Sequence, residues 1–119
     1  MKTKMQRHIE TITNGSDQVL KFPDGTLIIS GKRDFRNLEF YQESNMYRTI
    51  ISDEIKFVVP FINSPAVCIS TGSTVDYDYA SVIGMIKDAI GIKQIALERS
   101  SIPKTNYVGI QFVAIGKWK

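Results

Sequence analysis

The side chains best suited to contacting a ligand are Asp76-Tyr77-Asp78-Tyr79, which interleave two rings with two carboxylates. The rings could stack on an apolar face and the carboxylates could accept hydroxyl hydrogen bonds, work that usually falls to connecting segments on a rigid scaffold. The plainer alternative packs one tyrosine in the core and leaves the aspartates to solvate a turn. A calcium site fits poorly, because that ion takes roughly six to eight oxygens and no EF-hand loop is present. Trp118 and Tyr107 are two further aromatic candidates. Trp118 also has a structural reading beside the closing strand, and Tyr107 follows the loop that holds Pro103.

Nothing along the chain assembles reactive chemistry. Cys68 is the single cysteine, which excludes an intrachain disulfide. Its neighbours Ala66, Val67 and Ile69 point to a small buried hydrophobe. His8 is the single histidine and lies in a polar N-terminal segment, so no activated Cys–His pair is expected. The 12 acidic residues make some facing pair inevitable, yet none sits in a recognisable glycosidase arrangement. P-loop, GxSxG, HExxH and CxxC motifs are all lacking. The expectation is a protein that is not an enzyme, with no catalytic residue, metal ligand or cofactor.

Composition narrows the partners. The 119 residues suit one domain, and 43% hydrophobic with 23% charged residues fits a globular chain rather than a disordered one. Net charge is +3, but the cations are scattered and only Lys32-Arg33 are adjacent. A phosphate track needs aligned cations interleaved with aromatics, so no nucleic-acid partner is expected. No apolar run approaches the ~20 residues that span a bilayer. The opening MKTKMQRHIET lacks the apolar stretch of a signal peptide. A soluble protein made in the cytoplasm, without membrane insertion, is expected.

The elements that must carry these residues read as β throughout. Val19–Gly31 (VLKFPDGTLIISG) places two apolar runs around Pro23-Asp24-Gly25. Pro presets φ, Asp bonds back to the turn backbone and Gly accepts positive φ, so a hairpin of Gln18–Phe22 with Thr26–Lys32 is expected. Phe35–Tyr47 reads as a long loop with one short strand. Further strands are expected over Tyr47–Ser52, Ile55–Val59, Ala66–Ser70 and Tyr107–Trp118. Tyr79, Val82, Ile83, Ile86 and Ile90 recur at helical spacing, but Gly84, Gly91 and β-branched crowding favour strand (Ala80–Ile86), turn (Lys87–Gly91) and strand (Lys93–Arg99). Before residue 18, Met5, Ile9 and Ile12 have the four-then-three spacing of a helical seam, with a frayed terminus as the alternative, and Asn14-Gly15-Ser16-Asp17 ends the segment. About eight short strands with turns between them predict an all-β, antiparallel β-sandwich over 18–119, preceded by an extension over 1–17.

Three segments together resemble one family. LKFPDGTLIISG resembles the hairpin that begins the C-terminal domain of many bacteriophage tail-fibre proteins. FVAIGKWK resembles the strand that closes the same domains, and IKFVVPFINSPAV resembles their middle segment through Phe57, Pro60, Phe61, Pro65 and Val67. The resemblance covers about Gln18 to Lys119. It implies an H-type-lectin-like β-sandwich that assembles as a homotrimer at a fibre tip and attaches to a host cell-surface carbohydrate. The Met5/Ile9/Ile12 seam would then be the end of a trimeric stalk. Partners would be the rest of a tail fibre or baseplate, and the location the virion tail. Asp76, Tyr77, Asp78, Tyr79, Tyr107 and Trp118 would be the glycan-binding candidates. Asp34–Tyr47 is longer and more charged than the family pattern, and Val75–Gly91 matches none of it; these are the parts that would set receptor identity. A structural trimerisation or baseplate module without a ligand is the alternative, and a small glycan-acting enzyme is a third.

Overall fold

The computed structural model describes residues 8–36, 38–72, 80–100 and 107–119. Strands β1 (Glu10–Asn14), β2 (Asp17–Lys21), β3 (Thr26–Phe35), β4 (Tyr41–Glu43) and β5 (Met46–Ile51) are followed by the two-residue β6 (Ile55–Lys56). Then come β7 (Ala66–Gly72), β8 (Ser81–Lys87), β9 (Gly91–Arg99) and β10 (Val108–Lys117). The fold is all-β, a sandwich of two antiparallel sheets.

Sheet A runs β1-β2-β3-β10-β7. Sheet B is organised on β9: β5 and then β6 pair along one edge, through Ile51↔Ile95 and Ile55↔Ile92, while β8 pairs along the other. β4 extends the β5 side. Alternation sets which face goes inward. On β10, Val108, Ile110, Phe112 and Ala114 are buried while Gln111, Val113 and Ile115 are exposed. Leu27 and Ile29 of β3 and Val19 of β2 join them from sheet A. Sheet B answers with Ile51, Ile55, Ile92, Ile95 and Leu97. Both layers of apolar side chains thus close on one core, the dominant favourable contribution to the fold.

The FPDG hairpin forms as expected. Phe22 and Gly25 close it (Gly25 N donates to Phe22 O, 3.0 Å), and Gly25 adopts φ +101°. Asp24 Oδ1 accepts from Thr26 N at 2.8 Å, the back-bond that aspartate offers a turn. The region 80–99 is strand, turn and strand, not helix. Here β-branched residues on β8 pack onto β9, and Asp88 Oδ1 caps the turn by accepting from Ile90 N and Gly91 N.

Four expectations need correction. Residues 10–14 form a strand, not the end of a helical seam: Asn14–Asp17 is a tight turn with Gly15 at φ +62°, and it returns the chain so that Ile12 sits opposite Val19. Ile9 and Ile12, three apart in an extended chain, point to opposite faces, and Ile9 is exposed while Ile12 packs on the core. Met5 lies outside the described residues. Cys68 is exposed, because β7 pairs Cys68 with the outward Val113 and turns Val67 and Ile69 inward instead. The apolar neighbours were real but belong to the other phase of the strand. Ile55–Val59 shrinks to β6: Phe57 N still donates to Ile90 O in the same register, but the strand goes no further. Finally, the described residues hold ten strands where about eight were expected: β1 is the addition, and β4 is the short strand expected within Phe35–Tyr47.

Candidate functional site

The sandwich has two chemically different ends. Tyr107 and Trp118 flank the ten-residue β10, so about 37 Å of extended chain separates them. They belong to different sites.

At the Trp118 end, three stretches converge. Trp118 N donates to Gly25 O and its indole Nε1 donates to Phe22 O, both at 2.9 Å, which ties the last strand to the FPDG turn. Lys117 Nζ reaches Asp24 O at 3.2 Å, and Ile62 N donates to Lys117 O at 3.0 Å. Phe61 packs edge-on to Phe57, with centroids 5.1 Å apart at 84°. A Cβ on Gly116 would stand 2.8 Å from the Phe61 ring, so glycine there lets the Phe57–Pro65 segment lie against β10. Beside Trp118 opens a cleft of about 450 Å³, bordered also by His8, Glu10, Lys21, Pro23 and Lys119. Lys21 Nζ lies 4.3 Å and Lys119 Nζ 5.0 Å from the indole centroid. Both fall within cation–π range, and an indole so covered offers little face for a sugar to stack on.

At the Tyr107 end, Tyr107 is half-buried and the exposed Arg36 holds its guanidinium carbon 5.0 Å over the ring. Arg36 is placed by β3, whose last residue Phe35 pairs with Val108 next to Tyr107. Gly72 and Ala80, which flank residues 73–79, belong to this end: Gly72 pairs with Gly109, and Thr71 Oγ1 donates to Ala80 O at 2.8 Å. Arg99 and Ser100, which precede residues 101–106, lie here too, with Arg99 opposite Tyr47. Asp76, Tyr77, Asp78 and Tyr79 lie outside the described residues. The Arg36 guanidinium so placed brings a rigid, planar fork of N–H groups beside the phenol ring.

On the flank between β4, β5 and β9, Arg48 Nε donates to Glu98 at 2.7 Å and its Nη1 also pairs with Glu43. The Glu98 bond is the first cause that raises the Arg48 pKa above its ordinary value. This exposed network pins the short β4 hairpin rather than offering a ligand site.

No protein-family model and no curated protein matches the sequence. A solved structure does. The chain is similar to the P. aeruginosa R1 pyocin fibre comprising C-terminal residues 323-701, with a TM-score of 0.62 at 12% identity. The match takes in 92% of this chain but only 28% of the pyocin fibre fragment. At that identity the likeness is one of fold. The three stretches that converge at the Trp118 end are the same three that carry the sequence resemblance, so that resemblance marks scaffold. Arg36 was missed by sequence reasoning. The available signal was the excess charge over Asp34–Tyr47, which pointed to the segment and not to the residue.

Proposed function

We propose that this chain is a receptor-binding domain of a phage or phage-like tail fibre, H-type-lectin-like in organisation. It works as a homotrimer and holds a host-surface glycan at the Arg36–Tyr107 end without turning it over. The carrying observation is polarity. His8 and Glu10, where the described chain begins, border the same cleft as Lys119, where it stops. His8, Glu10 and Lys119 thus lie together at the Trp118 end, opposite Arg36 and Tyr107. The fold likeness to a pyocin fibre fragment supports the same reading. Arg36 beside Tyr107 puts a charged, planar group at this end, and Asp76, Tyr77, Asp78 and Tyr79 belong to a segment flanked by residues of this end.

The test is a glycan array probed with the whole chain, followed by calorimetric titration of any glycan retained. Binding that Tyr107→Ala and Arg36→Ala abolish supports the reading. Binding that only Trp118→Phe removes moves the site to the opposite end. An assembled protein that retains no glycan leaves the assembly module as its function.

A further inference from the structure

An antiparallel sheet that faces water on one side normally alternates apolar-in with polar-out. Sheet A breaks that rule on its outer face. Register places Leu20, Ile28, Ile115 and Ala66 in one row across β2, β3, β10 and β7, all on the side away from the core. The next row is Gln18, Ser30, Val113 and Cys68. Neither row contains a charge. Ile115 is 48% exposed and Val113 39%, in the middle of the sheet where outward side chains have neighbours on both sides. Sheet B also exposes apolar side chains, Ile50, Ile83 and Ile86 among them, but there the Arg48–Glu98 pair crosses the outer face beside Ile50.

We infer that the outer face of sheet A, centred on Val113 and Ile115, is the surface by which copies of this chain meet. The inference rests on the homotrimer proposed above and adds where its contact lies. Two arguments favour a second copy as the occupant. The first is charge: each copy carries +3, and identical faces turned toward one another oppose no like charges when the patch holds none. The nearest outward cations, Lys32 and Lys117, bracket the rows and stand outside them. The second is area. Five strands about 4.8 Å apart, over about 20 Å of their length, offer on the order of 500 Å². Three such faces turned toward one axis remove about 1,500 Å² from water in all, on the scale of a standard protein interface.

Cys68 is the one thiol in the chain and lies inside the patch, so its reactivity reports whether the face is covered. The experiment combines sedimentation over a range of concentrations with the rate at which 5,5′-dithiobis(2-nitrobenzoic acid) modifies the intact protein. The expected result is an assembly three times the chain mass, with Cys68 reacting roughly tenfold or more slower than in the diluted monomer. Val113→Glu, and independently Ala66→Arg at the edge strand, should give monomers with unchanged circular dichroism and a fast thiol. A trimer whose Cys68 reacts as fast as the monomer's overturns the inference while leaving the trimer standing. A monomer at every concentration overturns both, and glycan binding at the Arg36–Tyr107 end is then tested by the array on its own.

Discussion

The Asp17 carboxylate and the Arg33 guanidinium meet two-on-two, Oδ1–Nη1 at 2.6 Å and Oδ2–Nη2 at 2.8 Å, in the space left open above Gly31. Asp17 is 4% exposed. A carboxylate so buried persists because the bidentate fork pairs both of its oxygens. The same bond is the main cause that raises the Arg33 pKa above its ordinary value. A Cβ on Gly31 would collide with the Asp17 carboxylate and stand 2.9 Å from Phe112 Cε1.

Asp17→Ala should therefore destabilise the fold by about 2–3 kcal/mol. That is below the usual range for breaking a buried pair, because the Arg33 side chain keeps 31% exposure and can turn to water. Gly31→Ala should cost about 1–3 kcal/mol through overpacking. Urea denaturation of the double variant should show a combined cost smaller than the sum, since losing the carboxylate makes room for the methyl.

The two turn aspartates set an acid limb of stability. The backbone hydrogen bond from Thr26 holds the Asp24 carboxyl below its ordinary 3.8, and that from Ile90, helped by Gly91 and Lys93, does the same for Asp88. A carboxyl depressed in the folded state stabilises above its unfolded pKa, and the contribution is lost as pH falls through the folded value. The denaturation midpoint of the wild type should thus decline below about pH 4. Asp24→Asn with Asp88→Asn keeps the turn-bonding oxygens without the titration, and should flatten that decline.

Trp118→Phe removes the donor to Phe22 O while keeping an aromatic ring in the cleft. The loss should be about 1 kcal/mol, typical of one hydrogen bond. Trp118 is the single tryptophan, so wild-type fluorescence reports the Trp118 end alone. Thermal unfolding followed by fluorescence and by far-ultraviolet circular dichroism should coincide, because Trp118 ties the last strand to the first hairpin of the core.

Tyr107→Ala should lower affinity for a captured glycan by tenfold or more, about 1.4 kcal/mol. Arg36→Lys keeps the charge but loses the planar fork, and should weaken binding nearly as much as Arg36→Ala. Titration calorimetry against the glycan retained on the array checks both.

How legible this was depended on whether a signal was local. The FPDG hairpin and the β10 alternation were readable because Pro23, Gly25 and the spacing of Val108, Ile110, Phe112 and Ala114 act within a few residues. The phase of β7 was not, because Ala66–Ser70 is apolar enough on both faces that pairing with β10 had to choose. β1 was hidden for a related reason: two isoleucines three apart satisfy a helix as well as an extended chain. The Asp17–Arg33 pair joins residues 16 apart across two strands, so Asp17 looked like part of a turn. Arg36 gained a role only once β3 and β10 were laid side by side.

The convergence of Phe22, Phe61 and Trp118 at one end has a practical consequence for re-engineering. Because the pieces that lock the sandwich shut sit at the far end from Arg36 and Tyr107, side chains beside those two can be exchanged without touching them. The domain in that sense keeps its clasp apart from its opposite rim, and the rim can be rebuilt while the clasp stays as it is.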